Sequence, residues 1–216
     1  MTRVGVILSG CGVYDGSEIH EATLTLLFLD RAGAEIIFTA PDTETEVIDH
    51  RTGQPTGEKR SVLAESARIA RGPVRDIKTL RARDLDAVIF PGGFGAAKNL
   101  CDFATKGSSC TVHPEVARLV REMREADKPM GFICIAPVMA ARLLGAEVTV
   151  GSDPEVAAAI SQMGGRPVTV GVGEIIVDQE QKIVTTPAYM VGSTISRIAV
   201  GIEKLVNEVL RMAAGA

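Results

Sequence analysis

Lys128-Pro129-Met130-Gly131-Phe132-Ile133-Cys134-Ile135-Ala136-Pro137 is a short apolar run that stops at a cysteine, and a helical pattern starts at once. A cysteine on such a strand-to-helix turn has its sulfur at the open end of a sheet and at a helix N-terminus, whose partial positive charge favours thiolate. Cys134 is therefore a candidate nucleophile. The competing reading is a small buried hydrophobe at a strand end, where most free cysteines sit.

A nucleophile of this kind needs a proton carrier and a place for the oxyanion. Glu21 stands three and seven residues before Leu24 and Phe28 on one helical stripe, so its carboxyl begins the face that packs on a sheet. Apolar surroundings disfavour the charged carboxylate and raise its pKa toward the range useful for moving protons. A buried structural glutamate held by backbone donors is the alternative. Asp15-Gly16-Ser17-Glu18 has capping-box spacing, which makes Asp15 and Glu18 helix-start residues, with Glu18 a possible accessory to the site. Pro91-Gly92-Gly93-Phe94-Gly95 follows a strand and offers amides unobstructed by side chains. The N–H of Gly93, next to Gly92, and that of Ile135 could cradle an oxyanion formed at Cys134.

The loop Gly10-Cys11-Gly12-Val13-Tyr14-Asp15-Gly16 invites a dinucleotide reading, with Asp42 as the ribose acid. Its spacing is G-x-G-x-x-x-G, however, and Asp15, Glu18 and Glu21 would put carboxylates where a pyrophosphate should lie. No organic cofactor is expected. Cys11, Cys101, Cys110 and Cys134 show neither Cys-x-x-Cys spacing nor nearby histidine pairs, so neither a metal site nor a disulfide scaffold is expected.

The elements that must position these residues alternate between strand-like and helical, as in a parallel sheet covered by helices on both faces. The pattern predicts strands at 3–9, 35–40 and 85–90, a strand that stops at Cys134, and short strands at 147–151 and 167–170. It predicts helices at 17–32, 60–71, 114–126 and 191–213, hairpins within 47–58 and 174–185, and an irregular connection over 94–113. In a doubly wound sheet the crevice lies beyond the carboxyl ends of the strands, where 10–16, 91–95 and Cys134 should converge.

A chain of 216 residues, 46% apolar and 23% charged, suits one α/β domain over 1–216. A net charge of -4, with 4% aromatics and no basic run, argues against nucleic-acid or acidic-membrane partners and for a small one. Without a span of ~18 apolar residues or signal-peptide architecture, a cytoplasmic protein is expected.

The segments 7–21, 91–100, 131–137 and 183–190 closely resemble the ElbB family, also called enhancing lycopene biosynthesis proteins, in the PfpI-like branch of the class I glutamine-amidotransferase-like superfamily. The resemblance covers essentially the whole chain. It implies a flavodoxin-like fold, Cys134 on a nucleophile elbow, Glu21 as its partner, oxyanion donors at Gly93 and Ile135, and homodimers. It also implies a glutathione-independent glyoxalase activity on glyoxal. Three departures bear on mechanism. His20, His50 and His113 all precede Cys134, whereas amidotransferases carry their histidine downstream, so glutaminase activity is not expected. Ile135 stands where protease-like members have histidine. Elbows prefer small residues two positions either side of the nucleophile, which Ala136 satisfies and Phe132 does not.

The leading expectation is a cofactor-independent enzyme converting glyoxal to glycolate through Cys134. The rival is a non-catalytic redox or small-metabolite sensor, with Cys11 as a resolving thiol facing the same crevice.

Overall fold

The computed structural model describes residues 1–215. The first half runs β1 (Arg3–Ile7), α1 (Ile19–Arg31), β2 (Glu35–Ala40), β3 (Glu44–Asp49), β4 (Gln54–Ser61), α2 (Val62–Ala70), β5 (Arg75–Asp76), β6 (Ala87–Phe90), α3 (Phe94–Lys98) and α4 (Phe103–Lys106). It continues with α5 (Pro114–Glu125), β7 (Met130–Ile133), α6 (Pro137–Leu144), β8 (Glu147–Val148), α7 (Pro154–Gln162), β9 (Arg166–Pro167), β10 (Ile176–Asp178), β11 (Ile183–Thr186) and α8 (Ile195–Ala213).

Seven strands form the main sheet in the order β10-β11-β7-β6-β1-β2-β5, and only the β10–β11 pair is antiparallel. The chain builds outward from β1 to β2 and β5, then returns to place β6 and β7 on the other side. That reversal puts the switch point between β1 and β6, with the loops after β1, β6 and β7 at one end. Apolar residues of α1, α2 and α8 pack on one face of the sheet, and those of α3, α5, α6 and α7 on the other. This is the expected flavodoxin-like α/β arrangement.

Several boundaries differ from the sequence expectation, each for a local reason. α1 starts at Ile19, because Glu18 is the N-cap and accepts the Glu21 amide at 2.8 Å. Asp15 is no cap; its carboxyl accepts the Ile48 amide at 2.8 Å and anchors the β3–β4 hairpin. That hairpin extends through Ser61, so Arg60 lies in a strand, and Ser61 caps α2 by accepting the Ala64 amide. The 94–113 connection is not irregular throughout, since it winds into α3, α4 and a 3-10 turn at Gly107–Ser109. The final helix begins at Ile195, after a 3-10 turn at Ala188–Val191. The strands expected at 147–151 and 167–170 shrink to β8 and β9, a parallel pair outside the main sheet. Between them lies α7, an unexpected helix; Asp153 caps it by accepting the Glu155 and Val156 amides, with Pro154 at its first turn.

Candidate active site

β7 ends in a turn that the backbone makes at some cost. Cys134 has φ +63°, a left-handed conformation that costs an L-residue roughly 1–2 kcal/mol and clusters at functional turns. Its amide donates to the Thr186 carbonyl at 2.9 Å, so the neighbouring strand β11 fixes the elbow. Phe132 does not obstruct the turn. Its ring is fully buried and stacks on Phe90, with centroids 4.6 Å apart, so its bulk points into the core.

Glu21 comes to the same spot from α1. It is fully buried, on the face that also carries Thr25, Phe28 and Leu29. Oε2 accepts the Gly92 amide at 3.0 Å, Oε1 accepts the Tyr189 amide at 3.4 Å, and the carboxyl hydrogen-bonds the Cys134 thiol. Burial, reinforced by the nearby Glu18 carboxylate, pushes its pKa up to about 8, against the pull of Cys134 and the two amides. Glu18 is thus a neighbour that shapes Glu21 electrostatically. Its amide also donates to the Gly92 carbonyl at 3.0 Å, tying α1 to the loop after β6.

The glycines of that loop are required sterically. A Cβ at Gly92 would lie 2.6 Å from Glu21 Oε2, and one at Gly93, where φ is +92°, would lie 2.5 Å from the Gly16 carbonyl oxygen. Close approach puts the Gly93 amide against the Cys134 sulfur, beside that of Ile135. The first loop is braced in turn. The Ser9 amide donates to Ser17 Oγ and the Gly10 amide to Ser66 Oγ, each at 2.9 Å, and the Asn99 side chain donates to the Ser9 and Asp15 carbonyls.

The electrostatics correct the expectation of a resting thiolate. Cys134 is only 8% exposed rather than open to the surface, and α6 starts at Pro137, three residues past the sulfur. Burial pushes the thiol well above its ordinary value and the Glu21 carboxylate adds to this, while the Gly93 and Ile135 amides oppose it. At neutral pH the pair rests as thiol and carboxylic acid. One further expectation changes. Cys11 lines a separate cavity under the β3–β4 hairpin, with Asp15, His50 and Glu65, rather than facing Cys134.

The sequence reasoning assigned no role to Thr186, Tyr189 or His20. Tyr189 gives its amide to Glu21, and its hydroxyl lies 2.8 Å from His20 Nδ1 at the rim. Among the described residues no group of three or more His, Cys, Asp or Glu could hold a metal. No described helix is long and apolar enough to cross a membrane.

No family model matches the chain. It is 50% identical over 222 residues to the human glutamine amidotransferase-like class 1 domain-containing protein 3, mitochondrial, covering 97% of this chain and 83% of that protein. The zebrafish mitochondrial ES1 protein is 35% identical, covering 99% and 87%. A solved isoprenoid biosynthesis protein with an amidotransferase-like domain from Ehrlichia chaffeensis superposes with TM-score 0.90 at 35% identity, covering 97% of this chain and 99% of that one. A DJ-1 superfamily protein from Salmonella typhimurium shares the fold at 20% identity, with TM-score 0.57 over 100% of this chain and 97% of that one. With half its residues identical to the human protein over nearly its whole length, the chain belongs to the family of ES1-like, glutamine amidotransferase-like class 1 domain proteins.

Proposed function

We propose that the chain is a cofactor-independent enzyme of the ElbB type that converts glyoxal to glycolate, with Cys134 as nucleophile and Glu21 as proton carrier. The observation that carries this reading is the buried hydrogen bond between the Glu21 carboxyl and the Cys134 thiol, under two backbone amides. Cys134 sulfur adds to one aldehyde carbon, and the Gly93 and Ile135 amides receive the developing alkoxide. Glu21 removes the hydrogen from that carbon and returns a proton to the neighbouring one through an enediolate. One carbon is oxidised and the other reduced, which leaves a glycolyl thioester on Cys134. Water cleaves the thioester to glycolate and frees the thiol, so no external hydride acceptor enters.

The relative described as an isoprenoid biosynthesis protein agrees with the family name, and a link to isoprenoid metabolism belongs to the proposal at that level. Homodimerisation belongs to it too, and light scattering on the purified chain checks it. The sensor alternative is weakened where it relied on Cys11, which lines another cavity.

The test is glyoxal consumption with glycolate as the measured product. Cys134→Ala should lose activity by orders of magnitude, whereas Cys11→Ala should remain near wild type. Retention of more than about a tenth of the activity by Cys134→Ala would refute the nucleophile assignment. Slow stoichiometric modification of Cys134 without turnover would favour the sensor.

A further inference from the structure

Cys101 and Cys110 lie at the base of the 94–113 connection, outside the site around Cys134. A short antiparallel bridge pairs Cys101 with Val112, and the Asp102 amide donates to the Thr111 carbonyl at 3.2 Å. In that register Cys101 and Cys110 are diagonal neighbours on one face. The Cys101 thiol donates to the Ala96 carbonyl at 3.3 Å and also interacts with the Cys110 thiol. Cys110 Sγ in turn lies 3.7 Å from Met163 Sδ. Both cysteines are buried, yet none of residues 102–109 between them is, so the pair closes a surface segment. A cavity of about 490 Å³ lined by Cys110, Arg121, Arg142 and Leu143 adjoins the pair.

We propose that Cys101 and Cys110 form a second reactive site, a dithiol that small hydroperoxides convert to an intramolecular disulfide. Cys110 is the attacking thiol. Arg142 Nε donates to its carbonyl at 2.9 Å and brings a positive charge beside the sulfur. The interaction with Cys101, helped by that charge and opposed by burial, draws the Cys110 thiol down, while the same interaction and burial hold Cys101 protonated well above the usual thiol range. Its thiolate attacks one peroxide oxygen: an S–O bond forms, the O–O bond breaks, and the other oxygen leaves with a proton as alcohol or water. Cys101 then attacks the sulfenic sulfur, so that an S–S bond forms, the S–O bond breaks, and water leaves. The thiols give up two electrons and two protons, and the peroxide is reduced. The Cys101–Val112 bridge already holds the two cysteines on one face, so the disulfide joins neighbours across it. An external dithiol reverses the bond by thiol–disulfide exchange.

The test uses the full reduced chain and a few equivalents of hydrogen peroxide near pH 7, followed by alkylation and non-reducing tryptic mapping. Trypsin cuts after Lys98, Lys106 and Arg118, so the two cysteines fall on separate peptides, 99–106 and 107–118. The expected result is that these two peptides, joined with the loss of two hydrogens, are the predominant disulfide, removed by dithiothreitol. Cys110→Ser should abolish the link, with its fold checked by circular dichroism, and Cys11→Ala should leave it unchanged. The proposal is overturned if both thiols remain alkylatable, if Cys110 is found as sulfinic acid without the link, or if the link forms only after unfolding in urea. Mapping of the unmutated chain decides the matter even if a variant fails to fold.

Discussion

The Gly92 backbone and the Glu21 carboxyl meet directly, with no room for a side chain on the glycine. The Gly92 amide donates to Glu21 Oε2 at 3.0 Å, and a Cβ on Gly92 would run into that oxygen, the Ile133 carbonyl and Cys134. Gly92→Ala should therefore push Glu21 and Cys134 apart. We expect a fall in glyoxal turnover of at least about tenfold and a stability loss of about 1–3 kcal/mol by urea unfolding.

The proton content of the pair sets the pH–rate profile. The competent form carries one proton across Cys134 and Glu21, and the resting form carries two. The first proton leaves near pH 8, the value to which burial raises Glu21. The value of kcat/KM for glyoxal should rise from pH 6, turn over near 8, and level above it. Glu18→Gln removes the negative charge that helps hold Glu21 up, so the midpoint should move to lower pH in a rate profile measured over pH 5–9.

Stability carries the same signature with a defined sign. Between the ordinary Glu value of 4.5 and about 8, the folded chain holds a proton at Glu21 that the unfolded chain has released. Stability contributed at this position is complete below that window, falls as pH rises through it, and is flat beyond it. Glu21→Gln stays neutral throughout, so its urea midpoint should gain on wild type from pH 5 to 8. Its activity should fall about a hundredfold or more at every pH in that range.

Tyr189 separates backbone from side chain in the same site. Tyr189→Phe keeps the amide that donates to Glu21 and loses only the 2.8 Å contact with His20. Its kcat should stay within about threefold of wild type, far above that of Glu21→Gln. A hundredfold loss in this variant would assign the phenol a direct part in the chemistry.

Much of this site was legible in the chain because its parts obey local rules. The apolar run into Cys134, the glycines after β6 and the stripe that continues from Glu21 to Phe28 each carry a periodicity or a turn chemistry readable from neighbours. The resting charge of Cys134 was not legible. Helix position argued for a thiolate, and only the packed structure shows that desolvation and a buried carboxyl outweigh it. Asp15 has the spacing of a cap, but its partner, the Ile48 amide, lies 33 residues away. α7 could have been found, since Asp153-Pro154-Glu155 is a helix start; its small residues, Ala157, Ala158 and Ala159, gave weak contrast between faces. The contact between Cys101 and Cys110 depends on an antiparallel bridge within a stretch that has no strand pattern.

The Tyr189 amide reaches Glu21 across 168 positions, and the Thr186 carbonyl holds the Cys134 amide from β11. Both anchors come late in the order of synthesis, so a ribosome-bound chain that has not yet extruded residue 189 carries Glu21 and Cys134 without them. In that state Glu21 is an ordinary solvated carboxylate and Cys134 an ordinary thiol. Contacts of such long sequence separation form late, because the loop they close is costly to order. Assembly of the pair is therefore tied to completion of the fold, and until then the Cys134 thiol ionises at its ordinary value, below that of the folded chain.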